Sequence, residues 1–229
     1  MSSTATPSRT AAPVSARRAQ TRERLMAAAT TVFAERGVNG ASVEEVCETA
    51  GFTRGAFYSN FADKDELVLA LIQADVAAQY AAAASALEEA ECALGTSTVA
   101  TVVASTLERF DAFGATTREG VLAQRELLLH AARVPALHGP YRDFLATSSA
   151  QLRTLLADAL ERVGLEFTLP VDLAVEMLLA THARVQNQAL FDEGVDTTAM
   201  QAVVLAITRP RPDGRAGAGM GGGPATRSA

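Results

Sequence analysis

The chain has 229 residues, of which 48% are apolar and 20% charged, with a formal net charge of −6. That is enough to bury a substantial core, the composition is not that of a disordered chain, and the acidity of the whole argues against a general nucleic-acid binder. The charge is unevenly spread, however: residues 1–64 carry a net +2, residues 65–208 a net −11 and the last 21 residues a net +3. A basic end on an acidic body points to two separate tasks.

Two cysteines, Cys47 and Cys92, supply neither a disulfide framework nor a zinc quartet. No apolar run of about 20 residues marks a membrane span, and the N-terminus lacks the apolar centre of a secretory signal. A cytoplasmic protein with no membrane partner is expected. Lys64 is the only lysine beside 19 arginines, which reads as a coding bias.

The elements read as follows in chain order. Residues 1–18 are rich in Ser, Thr, Ala, Pro and Arg, and form a flexible basic arm. No proline occurs between Pro13 and Pro135, and apolar residues recur at helical spacing, so the fold class is all-α. A first helix covers about Gln20–Arg36, with Leu25, Ala29, Val32 and Phe33 on one face and Gly37 as a left-handed stop. Ser42-Val-Glu-Glu45 is a capping box that opens a second helix, ended by Gly51. Thr53 caps a short third helix, Arg54–Asn60. Asp63-Lys-Asp-Glu66 forms a second capping box and opens a fourth helix reaching about Glu91.

Further helices are expected at Thr98–Phe113, Arg118–Arg133, Leu137–Val163, Val171–Asp192 and Thr197–Thr208. Breaks are expected at Gly95, Gly114, Pro135, Gly139-Pro140, Gly164 to Pro170 and Gly194. The tail 209–229 is Pro- and Gly-rich and reads as disordered. The chain thus divides into an arm (1–18), a helix-turn-helix domain (19–66), a larger helical domain (67–208) and a tail (209–229).

The second and third helices have the length and turn spacing of a helix-turn-helix. The third exposes small and polar residues, Thr53, Arg54, Gly55, Ala56, Tyr58, Ser59 and Asn60. Its two large apolar residues, Phe57 and Phe61, stand one turn apart on the opposite side. Such a helix fits the major groove, where bulk would hold it off the base edges. Arg54 lies in its first turn and can pair bidentately with guanine. Thr53 and Tyr58 carry hydroxyls suited to phosphate oxygens. Lys64 opens the next helix, where backbone amides and the helix dipole already favour a phosphate.

The stretch Thr21–Leu71 resembles the DNA-binding domain of the TetR (tetracycline repressor) family of bacterial regulators. The pieces that carry the likeness are AAATTVFAERG, ASVEEVCETAGFTRGAFYSNF and DKDELVLAL, in order and without a gap. The resemblance assigns phosphate contact to Tyr58 and Lys64, the aromatic after the recognition helix to Phe61 and the turn glycine to Gly51. Asp63 departs from the serine cap common in the family, and Cys47 from a small apolar residue. The DNA-contacting set is then Ser42, Thr53, Arg54, Gly55, Ala56, Tyr58, Ser59, Asn60 and Lys64. The arginines of the first 24 residues are further candidates for backbone or minor-groove contact.

The resemblance also implies an all-α body that binds a small molecule and dimerises, making the chain a repressor released from an operator on double-stranded DNA. Physically, one helix-turn-helix makes too few base contacts for a specific site, whereas a twofold pair reads a palindrome. The dimer face is expected at Leu173, Met177, Thr181, Met200 and Val204. Candidate effector contacts are Phe110, Phe113, Arg125, Glu126, His130, Tyr141, Phe144, His182 and Gln186. The three histidines have no metal-ligand spacing, so neither metal nor cofactor is expected. No nucleophile triad or phosphate-cradling loop points to an enzyme. The other open reading is an effector-independent, chromosome-organising dimer.

Overall fold

The computed structural model describes residues 14–93, 117–192 and 196–212. The expected helix Thr98–Phe113, and with it Phe110 and Phe113, lies outside the described residues, as do residues 1–13 and 213–229. Eight helices occur among the described residues: α1 (Val14–Gly40), α2 (Val43–Ala50), α3 (Arg54–Tyr58), α4 (Lys64–Ala93), α5 (Arg118–Arg133), α6 (Pro135–Arg162), α7 (Val171–Gln188) and α8 (Thr198–Ile207). The fold is all-α, with an N-terminal helix-turn-helix.

Local sequence explains the first four. Ser42 accepts the Glu45 amide at 3.2 Å while the Glu45 carboxylate accepts the Ser42 amide at 2.8 Å, the expected capping box. Gly51 closes α2 in the left-handed conformation, and Thr53 caps α3 through the Ala56 amide. The box expected at α4 is only half formed. Asp63 accepts the Glu66 amide, but the Glu66 carboxylate takes the Ala62 amide at 2.6 Å instead of returning to Asp63.

Several boundaries move. α1 starts at Val14, so Arg17 and Arg18 stand on a helix and not in a flexible arm. Gly37 does interrupt α1, but with φ 71° and ψ 160° it lies outside the left-handed helical region, and one more turn follows to Gly40. Pro140 is no break; it sits inside α6. Thr208–Pro210, in part assigned to a disordered tail, forms a short strand β2 antiparallel to β1 (Leu165–Phe167), with Phe167 opposite Thr208 and Leu165 opposite Pro210. Arg209 pairs with Glu166 at 2.8 Å and Arg211 with Glu161 at 3.0 Å, which ties the end of α8 to the α6–α7 connection.

One continuous core runs from Leu25, Phe33 and Phe57 through Leu67 and Leu71 to Leu127 and Leu137. The division drawn in sequence at residue 66 is therefore no break in packing. α4 also corrects an expectation: Lys64–Cys92 is long and apolar enough to cross a membrane by length and composition alone. Within this fold Leu67 and Val68 are fully buried in the core, and Val76, Ala83 and Ala86 line a cavity.

Gly37 has two reasons to be glycine. Its φ is positive, and a Cβ there would meet the Glu126 Oε2 at 2.7 Å. Gly37→Ala is expected to cost about 2 kcal/mol and to lower Tm by about 4–8 °C. Thermal unfolding followed by circular dichroism checks this.

Candidate nucleic-acid interface and body cavity

The helix-turn-helix is held by arginines of α1. Arg18 donates to the Ser59 carbonyl, Arg22 to the Asn60 carbonyl and Arg24 to the Ala50 carbonyl, each at 2.8 Å. These carbonyls end α3 and α2, where backbone acceptors lack helical partners and the dipole favours a cation. Arg22 also lies over the Phe61 ring and Arg24 over the Phe52 ring. Three side chains read in sequence as candidates for DNA contact thus fix the two reading helices. The readable signal was their spacing ahead of the apolar face of α1, with Arg18 and Arg22 one turn apart.

Phe57 and Phe61 are buried, and the opposite side of α3 is open. Thr53, Arg54, Gly55, Tyr58 and Ser59 are exposed and Ala56 is half-buried. Nothing restricts space around Gly55: a Cβ there would meet only Thr53 Oγ1, at 3.7 Å. Arg54 pairs with Glu44 at 2.7 Å and donates to the Tyr58 hydroxyl at 3.4 Å. Those two partners, Tyr58 first, push its pKa above the ordinary arginine value. Glu44, which the sequence did not single out, therefore sets the resting pose of Arg54 from the first turn of α2.

Three expected DNA contacts have other partners. Asn60 is buried, its amide donating to the Ala56 carbonyl at 2.8 Å. The Ser42 hydroxyl both accepts the Glu45 amide and donates to the Glu45 carboxylate. That arrangement, with the Ser42 amide as its strongest contributor, holds the Glu45 carboxyl below its usual value. Lys64 donates to the carbonyls of Val38 at 2.7 Å and Ala41 at 3.0 Å, closing the last turn of α1.

The same turn receives α5. Glu126 accepts the Val38 amide at 3.3 Å. His130, one turn on, stands 3.1 Å from Asn39 Oδ1 and 2.7 Å from Asp65 Oδ1. Neither lines the body cavity described below; both join α5 to the reading head. Arg125, on another side of α5, donates to Asn187 Oδ1 and the Ala183 carbonyl of α7.

The body holds a cavity of about 320 Å3 between α4, α6, α7, α8 and the two strands. Of the expected effector contacts, His182 lines it. Tyr141 and Phe144 instead pack against the head core, and Gln186 is buried outside the cavity wall. Burial, with Arg125 as a second cause, pushes the His182 pKa down and favours the neutral ring. The expected dimer face also changes: Met200 and Val204 line the cavity. The outward residues of α8 are Ala199, Ala202, Leu205 and Ala206, while Leu173 is exposed on α7 and Met177 and Thr181 are half-buried.

A capped α2, a left-handed turn glycine and a short α3 with an open polar face define a helix-turn-helix of the DNA-reading type. Residues 25–71 match the family model described as bacterial regulatory proteins, tetR family. The HTH-type transcriptional repressor BepR of Brucella suis is 46% identical over 54 residues, which is 24% of this chain and 26% of that protein. The HTH-type transcriptional repressor AcnR of Corynebacterium diphtheriae is 43% identical over 56 residues, 24% of this chain and 30% of that one. The chain thus spans under a third of the length of these curated relatives.

The fold likeness is wider. A TetR-family transcriptional regulator from Mesorhizobium loti superposes with a TM-score of 0.59 at 22% identity, over 83% of this chain and 96% of that one. A TetR-family member from Streptomyces coelicolor gives 0.57 at 23% identity, over 82% and 98%. Residues 25–71 are thus similar in sequence to the tetR family's model, and the chain as a whole shares the fold of these solved structures.

Two substitutions separate scaffold from surface. Ser42→Ala removes the cap and is expected to cost about 1 kcal/mol. Gly55→Ala, at an unstrained and open helical position, is expected to gain up to about 1 kcal/mol. Opposite shifts in Tm check the pair.

Proposed function

We propose that the protein is a dimeric, sequence-specific transcriptional repressor, released from its operator by a small molecule taken up in the body. The observation that carries this reading is the α3 face. Arg54, Gly55, Tyr58 and Ser59 are exposed on a helix whose other side is anchored by Phe57 and Phe61. Arg54 would read a base edge, Tyr58 would hold a phosphate, and Gly55 would let the backbone approach the groove. Lys64 acts chiefly by holding the α1 turn in place.

A second copy would dock along α7 and α8 through Leu173, Ala202 and Leu205, which are exposed and apolar. Two heads related by a twofold axis would then meet successive major grooves. The cavity favours this reading over an organising dimer without an effector, which has no use for an apolar space in its body. Coupling would run through α5. It touches α7 through Arg125 and the α1 turn through Glu126 and His130, so a shift of α5 changes the spacing of the heads.

Footprinting on DNA flanking the protein's own coding sequence, at low salt, is expected to show a protected, twofold-symmetric site. Arg54→Ala should relax preference at one base position, at a cost of about 1–3 kcal/mol there. Tyr58→Phe should weaken binding to every sequence alike. Gly55→Ala should weaken DNA binding despite its higher Tm. No protected site, or the same loss on all sequences for Arg54→Ala and Tyr58→Phe, would overturn the reading.

A further inference from the structure

We infer that the body cavity is built for an uncharged, chain-like aliphatic molecule with one hydrogen-bonding end, held with that end toward the DNA-reading head. This rests on the proposed role of the body as an effector module, and it goes further by naming the ligand's chemistry.

The first observation is the absence of charge. Among the described residues no Asp, Glu, Lys or Arg lines the cavity. The one titratable group of the imidazole type, His182, is pushed toward its neutral form by burial. A buried ligand charge would be left without a counter-charge in the wall, which is costly. Asp75 and Arg125 lie near one end but are outside the wall and already engaged. Asp75 accepts from Gln79 and Gln124, and Arg125 donates to Asn187 and Ala183. Burial raises the Asp75 pKa, against the two hydrogen bonds that lower it.

The second observation is polarity along the length. Glu91 pairs with Arg162 at 3.2 Å, so the C-terminal ends of α4 and α6 lie side by side. Both helices are held against each other along the cavity, so residues the same distance back from this pair are level. Gln79 and Tyr80 on α4, 12 and 11 residues back, therefore stand within about one turn of Ser148 and Ser149 on α6, 14 and 13 back. The antiparallel return of α7 brings His182 to the same end. Toward the pair the wall is Ala86, Ala90, Leu156 and Leu160, closed off by Leu165 and Phe167 of β1. One end of the cavity thus offers hydroxyl, amide and imidazole groups; the other is hydrocarbon apart from Thr208, opposite Phe167, whose hydroxyl donates to the Val204 carbonyl. The polar end is the one nearer the reading head, since α4 begins there at Lys64.

The third is shape. The wall follows α4 from Val76 to Ala90, about 20 Å at the helical rise. A volume of about 320 Å3 drawn out over that length suits one narrow chain better than a fused ring system.

Isothermal titration calorimetry on the full chain without DNA tests this, with linear 1-alkanols of increasing length. The decyl carboxylate, the decylammonium ion and the compact adamantanol serve as contrasts. Affinity is expected to rise about fourfold per methylene, from the free energy of burying each one, and then to fall once the chain exceeds the cavity. Both ions and adamantanol should bind at least tenfold more weakly than decanol. Ala86→Leu, checked for folding by circular dichroism, should shift the length optimum to shorter alcohols and leave the shortest ones unaffected.

Equal or tighter binding of either ion overturns the inference, as does tighter binding of adamantanol or an affinity with no length optimum. Each alcohol is also added to the protein bound to its footprinted DNA. Alcohol binding that leaves the DNA complex intact removes release from the proposed function and leaves the ligand class standing. A clear footprint with no alcohol binding at any length overturns the ligand class alone.

Discussion

The turn at the end of α1 is the constraint on which the rest of the molecule depends. Between Gly37 and Ala41 the backbone leaves a helix, bends through a glycine-only conformation and enters the cap of α2. Its polar groups are then claimed by three side chains from two helices. Lys64 takes the carbonyls of Val38 and Ala41. Glu126 takes the Val38 amide and fills the space a Cβ would need at Gly37. His130 closes on Asn39 from the same face of α5. A buried backbone group left unpaired is costly, so the turn holds its shape only while α4 and α5 are both in place. The position of α2 and α3, and so the direction of the reading face, follows from it.

This arrangement makes the reading head and the body one packed unit. The core passes from Phe57 through Leu67 to Leu127 and Leu137 without interruption. Arg18, Arg22 and Arg24 work from the other side, gripping the C-terminal ends of α2 and α3. The short helix that faces outward is therefore held at its C-terminal end, and the helix before it at the same end, by charges that neither helix carries itself.

How much of this the sequence disclosed depends on how far apart the partners lie. The caps at Ser42 and Thr53 and the turn at Gly51 were legible because each is encoded within four or five residues. The outward and inward faces of α3 followed from the i, i+4 spacing of Phe57 and Phe61. His130 was assigned to a ligand site because a lone helical histidine says nothing of its partners, and Asn39 and Asp65 are 91 and 65 residues away in the chain. Met200 and Val204 belong to an apolar helix face, and periodicity cannot tell whether a cavity or a second copy covers it. The cavity wall was missed for the same reason, since leucines and alanines at helical spacing are the common material of any core. β1 lay in the expected break between Gly164 and Pro170, and β2 ran into a tail whose prolines and glycines suggested disorder.

The lone lysine takes on a meaning that a count of residue types cannot give it. In a chain with 19 arginines, the one side-chain amine is half-buried in the turn that orders the reading face. Reagents that acylate amines therefore have one side-chain target, and its nitrogen is released from its two carbonyl partners only when Lys64 lets go of Val38 and Ala41. The rate at which that nitrogen is acylated is thus a direct reading of how often the joint between head and body opens, with no label to be introduced.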